Sequence, residues 1–192
     1  MSAFLPPEAF GEMTAGIRQI LFTAEEINGR VHELGAAISR DYEGCHPLLV
    51  GVLKGVFPFM ADLMRAITIP LEVDYMAVAS YSPESRQKGL VRLQKDLDLP
   101  IKDRHVLFVE DVVDTGLTLH YLLRNLRARQ PASLKVCTLF NKSRRRLISL
   151  PLQYQGFDLP DKFVVGYGLD YRERYRNLPF VGLLSPDVFQ PD

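Results

Sequence analysis

From Thr23 onward the apolar positions fall at helical intervals. Ile27, Val31, Leu34 and Ile38 recur every three or four residues, and Thr23 with Glu26 has the spacing of a capping box. The spacing predicts a helix as the first clear element, broken by charge and glycine at Asp41–Gly44. The period then changes. Leu48–Leu53, Leu71–Ala79, Val106–Val109 and Leu134–Phe140 are short apolar runs that read as buried strands. Between them, Phe59, Leu63 and Ala66 mark a helix after Gly55, with Pro58 tolerated in its first turn. Leu119, Leu122, Leu123 and Leu126 mark another, ending near Gln130-Pro131. Strand alternating with amphipathic helix predicts an α/β fold with a largely parallel sheet. Phe163–Tyr167 and Phe180–Leu184 read as further strands, and the polar stretch Ser80–Asp98, with Pro83 and Gly89, as a long mobile loop of the kind that forms functional lids or disordered tips.

Composition changes the picture in two ways. Lys plus Arg equals Asp plus Glu at 23 each over 192 residues, so the chain lacks the basic excess of a nucleic-acid or membrane-surface binder. A local basic pocket for a small polyanion is compatible with that balance. No apolar stretch approaches the ~20 residues of a membrane span, and the start Met-Ser-Ala-Phe-Leu-Pro-Pro has no basic leader region, so a cytoplasmic protein is expected. Cys45 and Cys137 have no metal-ligand spacing, and Cys137, inside the Leu134–Phe140 run, reads as a core thiol.

The chemistry begins where the strand Val106–Val109 runs into Glu110 and Asp111. Ligands of open α/β sheets bind beyond the carboxyl ends of the strands. Two adjacent carboxylates there can accept hydrogen bonds from a vicinal diol or help to hold a divalent cation. Taken alone they are equally a pair of solvated loop acids. Asp114-Thr-Gly-Leu-Thr118 follows and opens the next helix. A turn with one glycine and two hydroxyls at a helix start presents backbone N–H groups and suits a phosphate monoester, although Thr115 or Thr118 could serve only as a helix cap.

The whole string resembles the 5-phosphoribosyl diphosphate (PRPP) motif of type I phosphoribosyltransferases, and three further segments resemble the hypoxanthine-guanine branch of that family. The resemblance implies the type I phosphoribosyltransferase fold: a largely parallel twisted sheet flanked by helices, with a core over about 23–145. A small hood would form from N-terminal residues and about 150–192. It implies that Glu110 and Asp111 hold the ribose hydroxyls and that Thr115, Gly116, Leu117 and Thr118 hold the 5′-phosphate. Asp114 would be the general base toward the purine. Some relatives carry a basic residue at the position of Leu117, whose side chain has no assigned role here because the loop's amides do most of the binding. Leu53-Lys54-Gly55 resembles the pyrophosphate loop, with a cis peptide before Lys54, and Ser80-Tyr81 resembles the start of the catalytic flexible loop. Asp161 through Arg176 is similar to the purine end. There Phe163 would stack on the base, the Val164 backbone would meet its edge, Asp170 would lie near Mg²⁺ beside Glu110 and Asp111, and Arg176 would bind pyrophosphate. Lys142 would donate to the purine O6.

By this resemblance the chain converts PRPP and hypoxanthine or guanine to IMP or GMP with Mg²⁺, as a homodimer or homotetramer, with no nucleic-acid or membrane partner. A xanthine-preferring enzyme and a non-catalytic nucleotide- or RNA-binding regulator of the same fold are the alternatives. A nicotinamide-cofactor enzyme is excluded because no G-x-G-x-x-G follows the first strand. Arg144–Arg146 matches no motif and reads as a solvated basic face.

Overall fold

The two periodicities in the sequence resolve into a helix-flanked sheet and a smaller second sheet. The computed structural model describes residues 5–79 and 92–189. The main sheet contains β2 (Leu48–Leu53), β3 (Glu72–Ala79), β4 (Arg92–Lys95), β5 (His105–Val113), β6 (Ser133–Asn141) and β7 (Tyr154–Asp158). Their order is β4-β3-β2-β5-β6-β7, parallel throughout except for the antiparallel edge strand β4. Because β2 is followed on one side by β3 and on the other by β5, the chain reverses its direction of winding between β2 and β5. That reversal opens a crevice at their carboxyl ends.

Each central strand feeds two cores. Leu49, Leu107, Val109 and Cys137 pack with α1 (Ala24–Asp41) and α2 (Phe57–Ala66), through Ile27, Val31, Phe59 and Leu63. Leu48, Val50, Val106 and Phe108 face the opposite way, onto Leu119, Leu122 and Leu126 of α3 (Leu117–Arg127). Burial on both faces explains why these strands read as unbroken apolar runs. The capping box at Thr23 and Glu26 forms as the spacing predicts.

The second sheet joins the two ends of the chain. Its order is β1-β9-β8, all antiparallel, with β1 at Ile17–Phe22, β8 at Val164–Val165 and β9 at Val181–Leu184. A 3-10 segment, Pro7–Thr14, precedes it, so ordered structure begins well before Thr23.

Three expectations need correction. The loop read over Ser80–Asp98 ends earlier, since Arg92–Lys95 pairs with β3 as an edge strand whose alternate positions Arg92 and Gln94 are exposed. The strand read over Phe163–Tyr167 is limited to Val164–Val165, because Gly166 and Tyr167 turn at φ 102° and 47°. The Arg144–Arg146 run is only partly a solvated face: Arg144 and Arg145 are exposed, but Arg145 also pairs with Asp114 and Asp161, and Arg146 is half-buried against Asn141. Cys137 is a buried free thiol, as expected.

Candidate active site

The carboxyl ends of β2 and β5 bring part of the expected site together at the β2/β5 crevice. β5 carries Glu110 and Asp111 at its carboxyl end. The Oε2 of Glu110 is closed off from solvent and has no hydrogen-bond partner among the described residues. Burial, then the neighbouring Asp111 charge, pushes the Glu110 carboxyl well above the usual range. Burial also raises Asp111, against the pull of the Val112 N–H, which donates to its Oδ1 at 2.7 Å, and of the Arg176 charge. Two desolvated acids in succession are costly to ionise without a partner, a cost that a bound cation or hydroxyl donors would offset.

Across the crevice, β2 ends at Leu53 and the chain turns through Lys54 and Gly55 into α2; the Leu53–Lys54 peptide is cis. The Gly55 backbone lies against Asp111 on one side and Gly168 on the other. Lys54 Nζ reaches Glu173 Oε2 at 3.1 Å. Arg176 closes this end: its Nη1 donates to Gly168 O at 2.7 Å, and its Nη2 is 2.8 Å from Asp170 Oδ1. Lys54, Gly55, Asp111, Asp170 and Arg176 are therefore brought together from three separate parts of the chain. Among the described residues, no three His, Cys, Asp or Glu side chains converge as a protein-only metal centre. A hexacoordinate cation here would complete its shell from substrate oxygens and water, the usual habit of Mg²⁺, and the unpartnered Glu110 oxygen and the Asp111 carboxylate suit such a hard cation.

The Asp114–Gly116 turn links β5 to α3. Gly116 occupies the N-cap position at φ 85°, with no side-chain cap, so neither Thr115 nor Thr118 caps the helix. The Thr115 hydroxyl instead accepts weakly from Leu117 N at 3.4 Å, and Leu117 and Thr118 lie in the first turn of α3. Apart from the Leu117 N–H, the first N–H groups of that turn have no intrahelical partner, an arrangement that suits an anion.

A separate cleft of about 640 Å³ opens beside this turn, lined by Lys142, Arg145, Asp161, Lys162 and Phe163 among others. Lys142 follows β6, its N–H held by Val113 O at 2.9 Å and its Nζ donating to Lys162 O at 2.9 Å. Burial lowers its pKa, with the Asp114 charge opposing. The Phe163 ring is 40% exposed and sits edge-to-face on Tyr171, centroids 5.7 Å apart, which leaves ring surface for a ligand. Val164 is buried in β8, paired with Leu183. Ser80 and Tyr81 lie outside the described residues.

Two arginines escaped the sequence reading. Arg145 sits between two acids, with Nε 3.1 Å from Asp114 Oδ1 and Nη1 3.5 Å from Asp161 Oδ1. Arg146 is half-buried, donates to Asn141 Oδ1, and passes its Cδ within 3.0 Å of where a Cβ on Gly116 would stand. Nothing in the local sequence distinguishes them from surface charge, because their partners lie on other strands and turns.

Residues 20–172 match the phosphoribosyl transferase domain model. A hypoxanthine-guanine phosphoribosyltransferase of Mycobacterium avium is 48% identical over 197 residues, spanning 99% of this chain and 97% of that relative. The protein of the same name from Bacillus subtilis is 46% identical, over 93% of this chain and 99% of its own. A crystal structure of a hypoxanthine phosphoribosyltransferase from Staphylococcus aureus superposes with a TM-score of 0.90 at 42% identity, covering 93% of this chain and 97% of that one. With the domain matched over most of the chain and the relatives covered almost end to end, this chain belongs to the hypoxanthine-guanine phosphoribosyltransferase family.

Proposed function

We propose that the chain transfers the 5-phosphoribosyl group of PRPP to N9 of hypoxanthine or guanine, giving IMP or GMP and pyrophosphate in cytoplasmic purine salvage. The observation that carries this reading is the convergence of Asp111, Gly55, Asp170 and Arg176 on one crevice, next to the Lys142–Phe163 cleft. One sub-site suits a ribose diphosphate and the other a flat base with a hydrogen-bond acceptor on its edge.

In this reaction the bond from ribose C1′ to the pyrophosphate oxygen breaks as N9 of the base closes on C1′. Negative charge moves onto pyrophosphate, where Lys54, Arg176 and the backbone around Gly55 receive it. Glu110 and Asp111 hold the ribose hydroxyls, and the amides at the start of α3 hold the 5′-phosphate. Glu110, Asp111 and Asp170 would hold Mg²⁺, which would supply further charge neutralisation for the diphosphate. Asp114 takes the proton that the base must lose. Lys142 favours a 6-oxo group because an ammonium only donates, whereas adenine presents a donor at that edge. The enzyme works as a homodimer or homotetramer on small-molecule substrates. No helix among the described residues is long and apolar enough to cross a membrane.

The test is pyrophosphate release from PRPP with hypoxanthine, guanine, xanthine and adenine in parallel, with and without EDTA. Release with the two named bases and its loss in EDTA are expected; release with no base present would overturn the reading. Asp114→Asn is expected to lower turnover by ~10²–10⁴ while preserving PRPP binding.

A further inference from the structure

Asp114 divides its carboxylate between two environments. Its Oδ1 is shut off from solvent, 3.1 Å from Arg145 Nε, yet the side chain as a whole is 43% exposed. The open part of the group is therefore the Oδ2 side. Arg145 is itself held from a second direction by Asp161, at 3.5 Å, and its backbone N–H donates to Lys142 O at 3.0 Å. The short 3-10 turn Ser143–Arg145 thus links the lysine on the cleft wall to the arginine that grips Asp114. Arg145 and Asp161 both line the same cleft as Lys142 and Phe163.

We propose that Arg145 is a positioning residue for Asp114. It clamps Oδ1 from one side and leaves Oδ2 aimed at the base, with Asp161 as the outer anchor that keeps the guanidinium in place. The inference rests on the base-binding role given to Asp114 above.

The physical case follows from what an untethered aspartate would do. The Asp114 side chain stands on a turn, two residues before a glycine at positive φ, and its Oδ1 has no hydrogen-bond partner among the described residues. Free rotation about its side-chain bonds would spread the carboxylate over several rotamers. A planar guanidinium wedged between two acids removes most of that freedom at a site half open to solvent. A proton acceptor held in one orientation before the base arrives loses less on reaching the transition state than one that must be ordered then. Arg145 does not touch the base's proton in this arrangement; it acts through Asp114 alone. Its effect should therefore fall on the chemical step and leave PRPP binding at the other crevice unaltered.

The experiment is a double-mutant cycle on turnover with hypoxanthine, using Arg145→Met, Arg145→Lys, Asp114→Asn and the Arg145→Met/Asp114→Asn pair. Arg145→Met is expected to lower kcat by about 10–100-fold with KM for PRPP changed less than about twofold. Arg145→Lys, which keeps the charge but loses the fork, should recover part of that loss. In the Asp114→Asn background, Arg145→Met should cost less than about twofold more, because the group it positions has gone. Asp161→Asn should lower kcat in the same direction by a smaller factor. Three outcomes overturn the positioning role: unchanged kcat in Arg145→Met, an equal loss in both backgrounds, or a loss confined to KM for PRPP. Unchanged turnover in Asp114→Asn would instead remove Asp114 as the base, and the positioning role with it. Melting curves of the single variants separate a folding defect from these outcomes, and Arg145→Lys carries the test if Arg145→Met does not fold.

Discussion

Gly55 and Asp111 face each other across the β2/β5 junction with no room for another carbon: a methyl group on Gly55 would overlap Asp111 Oδ2. The same glycine's carbonyl blocks any side chain at Gly168. Gly55 is thus packed against the Asp111 carboxylate on one side and against the Gly168 backbone on the other. Gly55→Ala should displace Asp111 or the loop, and either movement disturbs the crevice where charge from Arg176 and Asp170 meets. Overpacking of this kind costs about 1–3 kcal/mol. Turnover should fall at least about 100-fold, since a shift near 1 Å at a reacting centre has that effect. Steady-state kinetics and a melt of the same preparation check both parts. An active Gly55→Ala would mean that the crevice is looser than the packing indicates.

Glu110 is expected to weaken the unliganded fold at neutral pH. Its carboxyl is raised well above the ordinary range by burial and by Asp111, so the folded chain holds a proton there more tightly than the unfolded chain does. A group of that sign contributes full stability below its unfolded pKa of ~4.3 and loses it as pH rises through the folded value. Glu110→Gln removes the penalty. In EDTA and without PRPP, the variant should be more stable than the parent by about 1–2 kcal/mol near pH 8, and the gain should vanish as pH falls below ~4. The same variant should raise KM for PRPP. Denaturant melts across that pH range decide it: a gain that is flat with pH, or a loss near pH 8, would contradict the assignment of the buried charge.

Gly116 tests the phosphate turn. It holds φ 85° at the helix cap, where an added Cβ would meet Leu150 Cδ1 at 2.9 Å and Arg146 Cδ at 3.0 Å. Gly116→Ala should cost about 1–2 kcal/mol from the left-handed backbone alone, with the close contacts adding to it. Because the turn is assigned to the 5′-phosphate, KM for PRPP should rise more than kcat falls. A pure kcat effect would move the phosphate away from this turn.

How far the sequence foretold this site depended on whether the signal was local. Thr23 and Glu26 announced their helix because both halves of the capping box sit within one turn. Leu48–Leu53 was readable to the residue because it is buried on both faces and flanked by turn residues. β1 and β7 were missed for the opposite reason. Ile17–Phe22 has two adjacent polar residues inside it, and Tyr154–Asp158 contains a glycine and an aspartate, so neither shows a clean period. The acids at the end of β5 were legible from their place after an apolar strand. The grip of Arg145 on Asp114 and Asp161 was not, because it joins segments that meet only through the pairing of β5 with β6 and the return of the chain after β7.

Lys142 should decide the choice of base. Its ammonium is carried by a turn tied to Val113 O and reaches across the cleft to Lys162 O, so it is fixed at both ends before any ligand arrives. A 6-oxopurine offers an acceptor to that donor; adenine offers an amino group, which leaves two donors facing each other in a half-buried cleft. Sites built on a hydrogen bond to a substrate discriminate far better than sites built on shape, because the mismatched ligand leaves a buried polar group unpaired. Lys142→Met keeps the length of the side chain and removes the donor. Its kcat/KM for hypoxanthine should fall by about 100-fold, and its preference for hypoxanthine over adenine should contract by a similar factor. Stability should stay within ~1 kcal/mol of the parent, because Lys142 already pays a desolvation cost, visible as its lowered pKa. Parallel assays with hypoxanthine, guanine and adenine measure the contraction. If the variant loses activity equally with every base, Lys142 holds the cleft together and does not read the 6-position.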